Sequence, residues 1–299
     1  MKFRHAILLI LLHLFLAPVT TFALTVDEQF LAARDAVRAG DRAKLERLAT
    51  SLQGYELEAY VEYWTLLLDL KETDPATVRA FFGRHANTYV AEKLRIDWLR
   101  QLGRKQQWEL FDSEYPRLAQ PDQELACYAL QSRRAQGDAL ALDDALPLWL
   151  TLLEPPEACY PLLEALIVEK RVLADAVWAR IRRQFEANKI AAAIYTMNYL
   201  PASQMPDKKL AQTIADAPLP WLSKLPSDFS GNRAQRELAA LAIQRVARND
   251  PRMAADQLER ISGSLKGGEK AWAWSQIGWQ AAKRHLPEAM EWYRQAGDT

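Results

Sequence analysis

The 299-residue sequence lacks the short motifs that usually reveal an enzyme. It contains no GxSxG nucleophile turn, no HExxH zinc helix and no phosphate-binding loop. Its glutamates, such as Glu58 and Glu62, fall on patterned helix faces, where we expect solvation or ion pairs with lysine and arginine. A sheltered pocket of the kind that raises the pKa of a glycosidase acid is not expected there. The residues alone therefore nominate no catalytic group and no cofactor.

Cysteine and histidine are scarce. The chain has two cysteines, Cys127 and Cys159, without a CxxC motif, and beyond the N-terminal segment the only histidines are His85 and His285. Metal sites need closely spaced ligands, so we predict no metal centre. In an oxidising compartment two lone thiols most simply form a disulfide, whereas in the cytosol they are more often inert buried residues. Closing this loop would stabilise the fold by roughly 3 to 4 kcal/mol in the chain-entropy description.

The N-terminus favours the oxidising compartment. Residues 1–23 combine a basic start, an apolar run from Ala6 to Leu16, and a small residue, Ala23, at the expected cleavage position. This is the layout of a secretory signal peptide. An uncleaved anchor is the alternative, but the apolar run is shorter than the ~20 residues that span a bilayer. We predict an exported protein that begins near Leu24 and has no stable membrane anchor.

The sequence has no excess of charge of either sign. It carries 38 basic and 38 acidic residues, and cleavage after Ala23 would remove Lys2 and Arg4 and leave 36 against 38. Nucleic-acid binding needs a basic surface that replaces counterions, so we predict no nucleic-acid partner.

Alternating strand patterns are also missing, and the chain has only 11 glycines. Apolar residues instead recur at helical spacing along nearly the whole chain after the signal peptide. Representative stripes are Leu45/Leu48/Leu52, Leu94/Trp98/Leu102, Leu142/Leu146/Trp149 and Leu173/Val177/Ile181. The pattern predicts an all-α fold.

Similar short sequences, which we call joints, separate these apolar helical segments. Ala39-Gly40-Asp41 and Gln136-Gly137-Asp138 each offer a glycine to end one helix and an aspartate to start the next, while Asp74-Pro75 and Asp250-Pro251 are typical helix starts. Short helices joined by brief turns form antiparallel hairpins, which stack into a curved superhelix, or solenoid. The joints are too unevenly spaced for a strict tetratricopeptide register. We predict one such domain over residues 24–299, kinked near the proline-rich segment 198–232.

Tryptophan is unusually common, with ten in the chain and three in the stretch AWAWSQIGWQ. Trp272 and Trp279 lie seven positions apart and share a helical face, whereas Trp274 points elsewhere. Two readings stay open at this point. Buried indoles that pack between helices are the commoner case, and exposed indoles on which sugars stack are the alternative.

Several of these segments together resemble one protein family. LRIDWLRQLGRKQQW, CYAL, LPLWLTLLEPPEACYPLLEALI, VWARIRRQF and ARNDPRMAADQLERI are similar to the N-terminal superhelical region of the soluble lytic murein transglycosylases of Gram-negative bacteria. The resemblance covers residues 25–299. It implies a U-shaped or ring-like α-superhelix in the periplasm. The whole enzyme cleaves the β-1,4 bond between N-acetylmuramic acid and N-acetylglucosamine and leaves a 1,6-anhydro end.

The catalytic part of the family pattern does not appear in this chain. The family's chemistry belongs to a C-terminal lysozyme-like domain, where a glutamate followed by serine acts as acid and then base, and this sequence contains no Glu-Ser dipeptide. No catalytic residue is carried over. We expect a truncated gene product or a fragment with its own role, inactive alone, whose partner is the peptidoglycan glycan strand. The alternative is a periplasmic helical-repeat scaffold that binds other proteins. A complete small hydrolase is a third interpretation, which the sequence favours least.

Overall fold

The computed structural model describes residues 24–226 and 228–297, and every regular element in that part of the chain is a helix. The all-α prediction is thus confirmed. The predicted signal peptide, residues 1–23, lies outside the described residues. Within the described ranges, no helix combines the length and the apolar character that a membrane crossing needs.

The chain divides into two compact units, the first ending at Gln120 and the second beginning at Pro121. The helices of the first unit are α1 (Val26–Ala39), α2 (Arg42–Ser51), α3 (Glu58–Asp69), α4 (Pro75–Arg84), α5 (Tyr89–Arg104) and α6 (Trp108–Glu114).

The second unit contains more and shorter helices. They are α7 (Gln123–Ala135), α8 (Ala141–Ala145), α9 (Leu148–Thr151), α10 (Tyr160–Val168), α11 (Ala174–Glu186), α12 (Ile190–Thr196), α13 (Lys208–Asp216), α14 (Pro218–Leu222), α15 (Arg233–Ala247), α16 (Pro251–Ile261), α17 (Gly267–Ala282) and α18 (Ala289–Ala296). Short 3₁₀ turns, among them Glu157–Cys159, lie between several of these helices.

Local sequence explains most helix ends. Gly40 adopts a left-handed conformation (φ 68°) at the end of α1, and the Asp41 side chain accepts a hydrogen bond from the Lys44 amide at the start of α2. Asp250 caps α16 in the same way. Two of the predicted helix starts differ from this pattern. Asp138 lies two residues before Leu140, the N-cap of α8, and its side chain accepts a hydrogen bond from the Leu140 amide. Asp74 stands at the N-cap of α4, but its side chain makes no capping hydrogen bond. There the fixed φ of Pro75 suits the first helical position without a side-chain cap.

Helices contact mainly those next to them or next but one along the chain. In the first unit α1 packs on α2 and α3, and in the second α15 packs on α16 and α17. This is the local stacking expected of helix hairpins. One additional contact matters for the functional site: α11 packs on α15, so residues 174–186 lie beside the C-terminal helices.

Where the structure describes the proline-rich segment, its elements are short: α13, α14 and two 3₁₀ turns. Its apolar residues are unequally buried, since Leu222 is fully buried and Leu219 is 41% exposed. The kink that the sequence predicts here stays a prediction, as does the single-domain boundary of 24–299.

Candidate functional site

The three tryptophans of α17 have different surroundings. Trp274 is 5% exposed and belongs to the core, whereas Trp279 is 54% exposed. Trp272 is partly buried. Each of the two interpretations of the sequence therefore fits a different residue of this helix. Trp274 packs in the core, and Trp279 has an exposed indole surface on which a sugar could stack.

A carboxylate from another helix fixes Trp272. The indole N–H of Trp272 donates a 2.7 Å hydrogen bond to Oε1 of Glu186, and the Gln276 side-chain amide donates a 3.0 Å hydrogen bond to the same oxygen. Glu186 is the last residue of α11. We call Trp272, Gln276, Trp279 and Glu186 the indole face. Its ring at position 272 is held in place, and its ring at position 279 is free to contact a ligand.

A polar hollow of about 390 Å³ adjoins the exposed ring of Trp279. Glu186, Arg248, Lys283 and Arg284 contribute to its walls. The Arg284 guanidinium donates a hydrogen bond to the backbone carbonyl of Arg248, which connects the segment after α17 to the end of α15. An apolar ring surface bordered by fixed polar donors and acceptors is the combination that binds sugars, because a pyranose presents both C–H faces and hydroxyl groups.

The sequence signals only half of the indole face. The spacing of Trp272 and Trp279 is visible in the sequence, but Glu186 comes from α11, and Arg248 of the adjoining hollow comes from the end of α15. Nothing in the sequence singles out Glu186 among 38 acidic residues, since its role depends on a contact to a residue 86 positions away.

The structure brings the two cysteines together. Cys127 lies on α7 and Cys159 ends the 3₁₀ turn Glu157–Cys159; both are fully buried. Their sulfur atoms are 2.00 Å apart and their Cα atoms 5.1 Å apart. A Cα separation of this size suits a disulfide. The oxidised state of the pair in the exported protein stays a prediction and is treated in the Discussion.

The glutamates singled out in the sequence have local partners. Glu62 forms ion pairs with Arg84 (2.9 Å) and His85 (3.0 Å), and Glu58 accepts a hydrogen bond from the Gly54 amide. Partial burial disfavours the charged form of Glu62, but the hydrogen bonds from Arg84 and His85 outweigh burial and lower its pKa. Glu62 is thus an ion-pair partner and does not resemble a protonated catalytic acid.

Metal ligands are not clustered in the described ranges, where no group of three histidine, cysteine, aspartate or glutamate side chains could hold an ion.

Comparison with known proteins gives a consistent set of relatives, although no protein-family model matches the chain. Over 236 residues, 76% of its length, the chain is 24% identical to the soluble lytic murein transglycosylase of Escherichia coli strain K12. The protein of Escherichia coli O157:H7 gives the same figures. The chain spans 35% of the length of these curated relatives.

Solved structures agree with the sequence comparison. An inactive mutant of the lytic transglycosylase Slt from Pseudomonas aeruginosa superposes with a TM-score of 0.64 and 27% identity, covering 90% of this chain and 44% of that protein. The 70-kDa soluble lytic transglycosylase of Escherichia coli has a TM-score of 0.60 and 21% identity, with 91% and 45% covered. A complex of the 70-kDa enzyme with bulgecin A gives a TM-score of 0.60 at 20% identity. The resemblance inferred from the sequence is confirmed.

Proposed function

We propose that this chain is the N-terminal superhelical part of a soluble lytic murein transglycosylase and that it positions peptidoglycan glycan strands. In the complete enzyme, cleavage of the bond between N-acetylmuramic acid and N-acetylglucosamine, with formation of the 1,6-anhydro end, is assigned to a lysozyme-like domain. The observation that carries the proposal is the similarity itself. It extends over most of this chain while the chain spans 35% of the Escherichia coli relatives.

The indole face supports the glycan-positioning role. Trp279 presents an exposed ring, and the adjoining hollow supplies one carboxylate acceptor, Glu186, and several cationic donors. Glycan strands carry many hydroxyl groups and little apolar surface, so contacts that combine one stacking ring with several hydrogen bonds suit them better than a purely apolar groove. Trp272 would contribute mainly by holding Glu186 in position.

A protein-interaction scaffold is the second candidate, and a different surface favours it. Pro218, Leu219, Val246 and Met253 line a largely apolar hollow of about 280 Å³. Leu219 is 41% and Met253 38% exposed. Apolar side chains grouped at a surface are typical of protein contact sites. This scaffold role predicts retention by an envelope protein and no retention by glycan.

Binding to purified peptidoglycan sacculi tests the proposal. We expect the protein to sediment with sacculi and Trp279→Ala to weaken binding roughly 5- to 30-fold, because losing one stacked indole removes about 1 to 2 kcal/mol. Tyr89→Ala is the matched control, since Tyr89 is 70% exposed but lies in the first unit. Trp272→Ala should weaken binding less, because it acts indirectly, by removing the hydrogen bond that holds Glu186 in position.

Equal sedimentation of all variants would show that the indole face does not bind glycan. Release of anhydro-muropeptides by this chain alone would contradict a purely positioning role.

The same proposal includes export to the periplasm, which the lytic relatives' action on murein requires. Removal of residues 1–23 during export predicts that the protein recovered from the periplasmic fraction begins at Leu24. Intact-mass measurement checks this. An exported protein that still begins at Met1 would contradict the signal peptide and favour an uncleaved anchor.

A further inference from the structure

A buried carboxylate on α15 is tied to α11 next to the indole face. Glu237 is 1% exposed, and Nε of Arg182 donates a 2.9 Å hydrogen bond to its Oε2. Nη2 of Arg182 lies 2.8 Å from the same oxygen. The Arg182 guanidinium also lies over the Trp272 ring, 5.2 Å from the ring centroid. Arg182 thus connects a buried acid of α15 to the ring whose N–H holds Glu186 in the indole face.

The charged groups around Glu237 come from three helices. They line a cavity of about 330 Å³ between α11, α15 and the start of α17. Among the described residues, none that lines this cavity comes from α13, α14 or α16, which also pack on α15. With Glu237 ionised the cavity carries one formal positive charge, and with Glu237 protonated it carries two. The groups that face Glu237 are Asp175 and Arg182 on α11, Arg233 and Arg236 on α15, and Lys266 and Glu269 at the start of α17.

Most of these groups already have a partner. Arg233 pairs with Asp175 at 2.6 Å and lies 3.6 Å from Oε1 of Glu237. Nε of Arg236 donates to both oxygens of Glu269, at 3.0 and 2.9 Å. Arg182 is the one that also contacts the indole face, so a change of charge on Glu237 reaches that face through Arg182.

Protonation of Glu237 would weaken its hold on Arg182. Burial raises the pKa of Glu237, and the facing Arg182 opposes that change without cancelling it. Glu237 therefore takes up a proton at a pH above the usual range for glutamate. A hydrogen bond to a charged acceptor is about twice as strong as one to a neutral acceptor. The Arg182 side chain is only 18% exposed, so without its counter-charge it becomes a costly, poorly solvated cation.

We propose that Glu237, Arg182 and Trp272 form an acid-sensitive latch, in which a proton on Glu237 releases the Arg182 guanidinium from the Trp272 ring and loosens the indole face. Neutral pH keeps the latch closed and mild acid opens it. In the open state Trp272 loses the cation over its ring, and Glu186 loses a fixed donor. The effect on glycan binding rests on the proposed function, whereas the latch itself depends only on these side chains.

Opening of the latch differs from acid unfolding. The pKa of Glu237 is higher in the folded protein than in the unfolded chain. Its contribution to the free energy of unfolding is therefore fully present below the unfolded pKa and is lost as the pH rises through the folded pKa. Acid does not unfold the protein through Glu237, so the open latch is a property of the folded protein.

The indole N–H resonance of Trp272, assigned with Trp272→Phe, reports the latch by NMR without any ligand. We expect it to shift between about pH 7.5 and about pH 5, with a midpoint above the ordinary pKa of glutamate. Glu237→Gln should lose this step, while Glu259→Gln, at an exposed glutamate of α16, is the matched control and should keep it.

Arg182→Lys provides a second test that leaves Glu237 in place. Lysine keeps the positive charge but lacks the planar group that covers Trp272, so this variant should also lose the step. A step that persists in either variant, at an unchanged unfolding midpoint, would come from another group and would overturn the latch.

Sacculus binding at the same two pH values separates the latch from the proposed function. We expect the affinity of the native protein to fall roughly threefold from neutral to acid pH, and Glu237→Gln to bind at both values as the native protein does in acid. If nothing binds sacculi but the Trp272 step depends on Glu237, glycan positioning fails and the latch stands. If sacculi bind and the step persists in Glu237→Gln, glycan positioning survives and the latch is wrong. A step that depends on Glu237 without any change in affinity would overturn the control of the indole face.

Discussion

Replacing Arg180 by alanine is expected to lower the free energy of unfolding by roughly 3 kcal/mol. Arg180 is 2% exposed, and its two terminal nitrogens donate to the backbone carbonyls of Trp149 and Leu152, at the end of α9. α9 is only four residues long and cannot be stable by itself. The alanine variant would leave two carbonyls without donors, each costing about 1 to 3 kcal/mol, and would open a cavity.

One contribution opposes this loss. Burial of Arg180 lowers its pKa, and its Nε has no hydrogen-bond partner among the residues that the structure describes, so removing the cation also removes a desolvation cost. The Trp149 ring, 5.0 Å from the guanidinium carbon, compensates part of that cost in the native protein. We expect the lost carbonyl partners and the cavity to dominate.

Urea unfolding followed by tryptophan fluorescence measures the effect, with Arg183→Ala as the matched control. Arg183 neighbours Arg180 on the same helix but is exposed, so its replacement should change stability by less than about 0.5 kcal/mol. Arg180→Met separates volume from hydrogen bonding, because methionine refills most of the space without supplying donors. If Arg180→Met were as stable as the native protein, the carbonyl contacts would contribute nothing and our interpretation would be wrong.

Reduction of the cysteine pair is expected to lower the unfolding free energy by roughly 3 to 4 kcal/mol. Cys127 and Cys159 are 32 positions apart, and a bond between them restricts the unfolded chain by closing a loop of that length. The loop contains α9 and the segment that Arg180 holds. The predicted bridge and the buried arginine would therefore stabilise the same region, and their effects need not be additive.

Unfolding of the exported protein with and without a reductant measures the contribution of the bridge. The double variant Cys127→Ala, Cys159→Ala should have a lower midpoint than the oxidised protein and should not respond to reductant. Thiol titration of the protein denatured without reductant supplies the direct check. Two reactive thiols in the exported protein would contradict the disulfide, whatever the unfolding curves show.

The helices and their ends were largely predictable. Gly40 and Asp41 end one helix and begin the next because each acts on backbone groups within a turn of itself. The sequence also led us to expect that Cys127 and Cys159 pair, from the number of cysteines and the expected compartment, and the disulfide itself stays a prediction. Asp74 shows the limit of such local rules, since the residue takes the N-cap position without making the capping bond.

The candidate site was predictable only in part. Helical spacing placed Trp272 and Trp279 on one face of α17, apart from Trp274. The spacing could not show that Trp272 would donate a hydrogen bond to Glu186, or that the Arg182 guanidinium would lie over the Trp272 ring, because those contacts link α11 to α17. Arg180 was missed for the same reason. In sequence it is one of several arginines on an amphipathic helix.

The sequence by itself determined the helical fold, the positions of the turns and which tryptophans share a helix face, because these depend on residues a few positions apart. The tertiary structure decided which arginines are buried and paired, and which tryptophan stays exposed. Those outcomes depend on carbonyls and carboxylates that lie 28 to 86 positions away and become neighbours only when the helices pack.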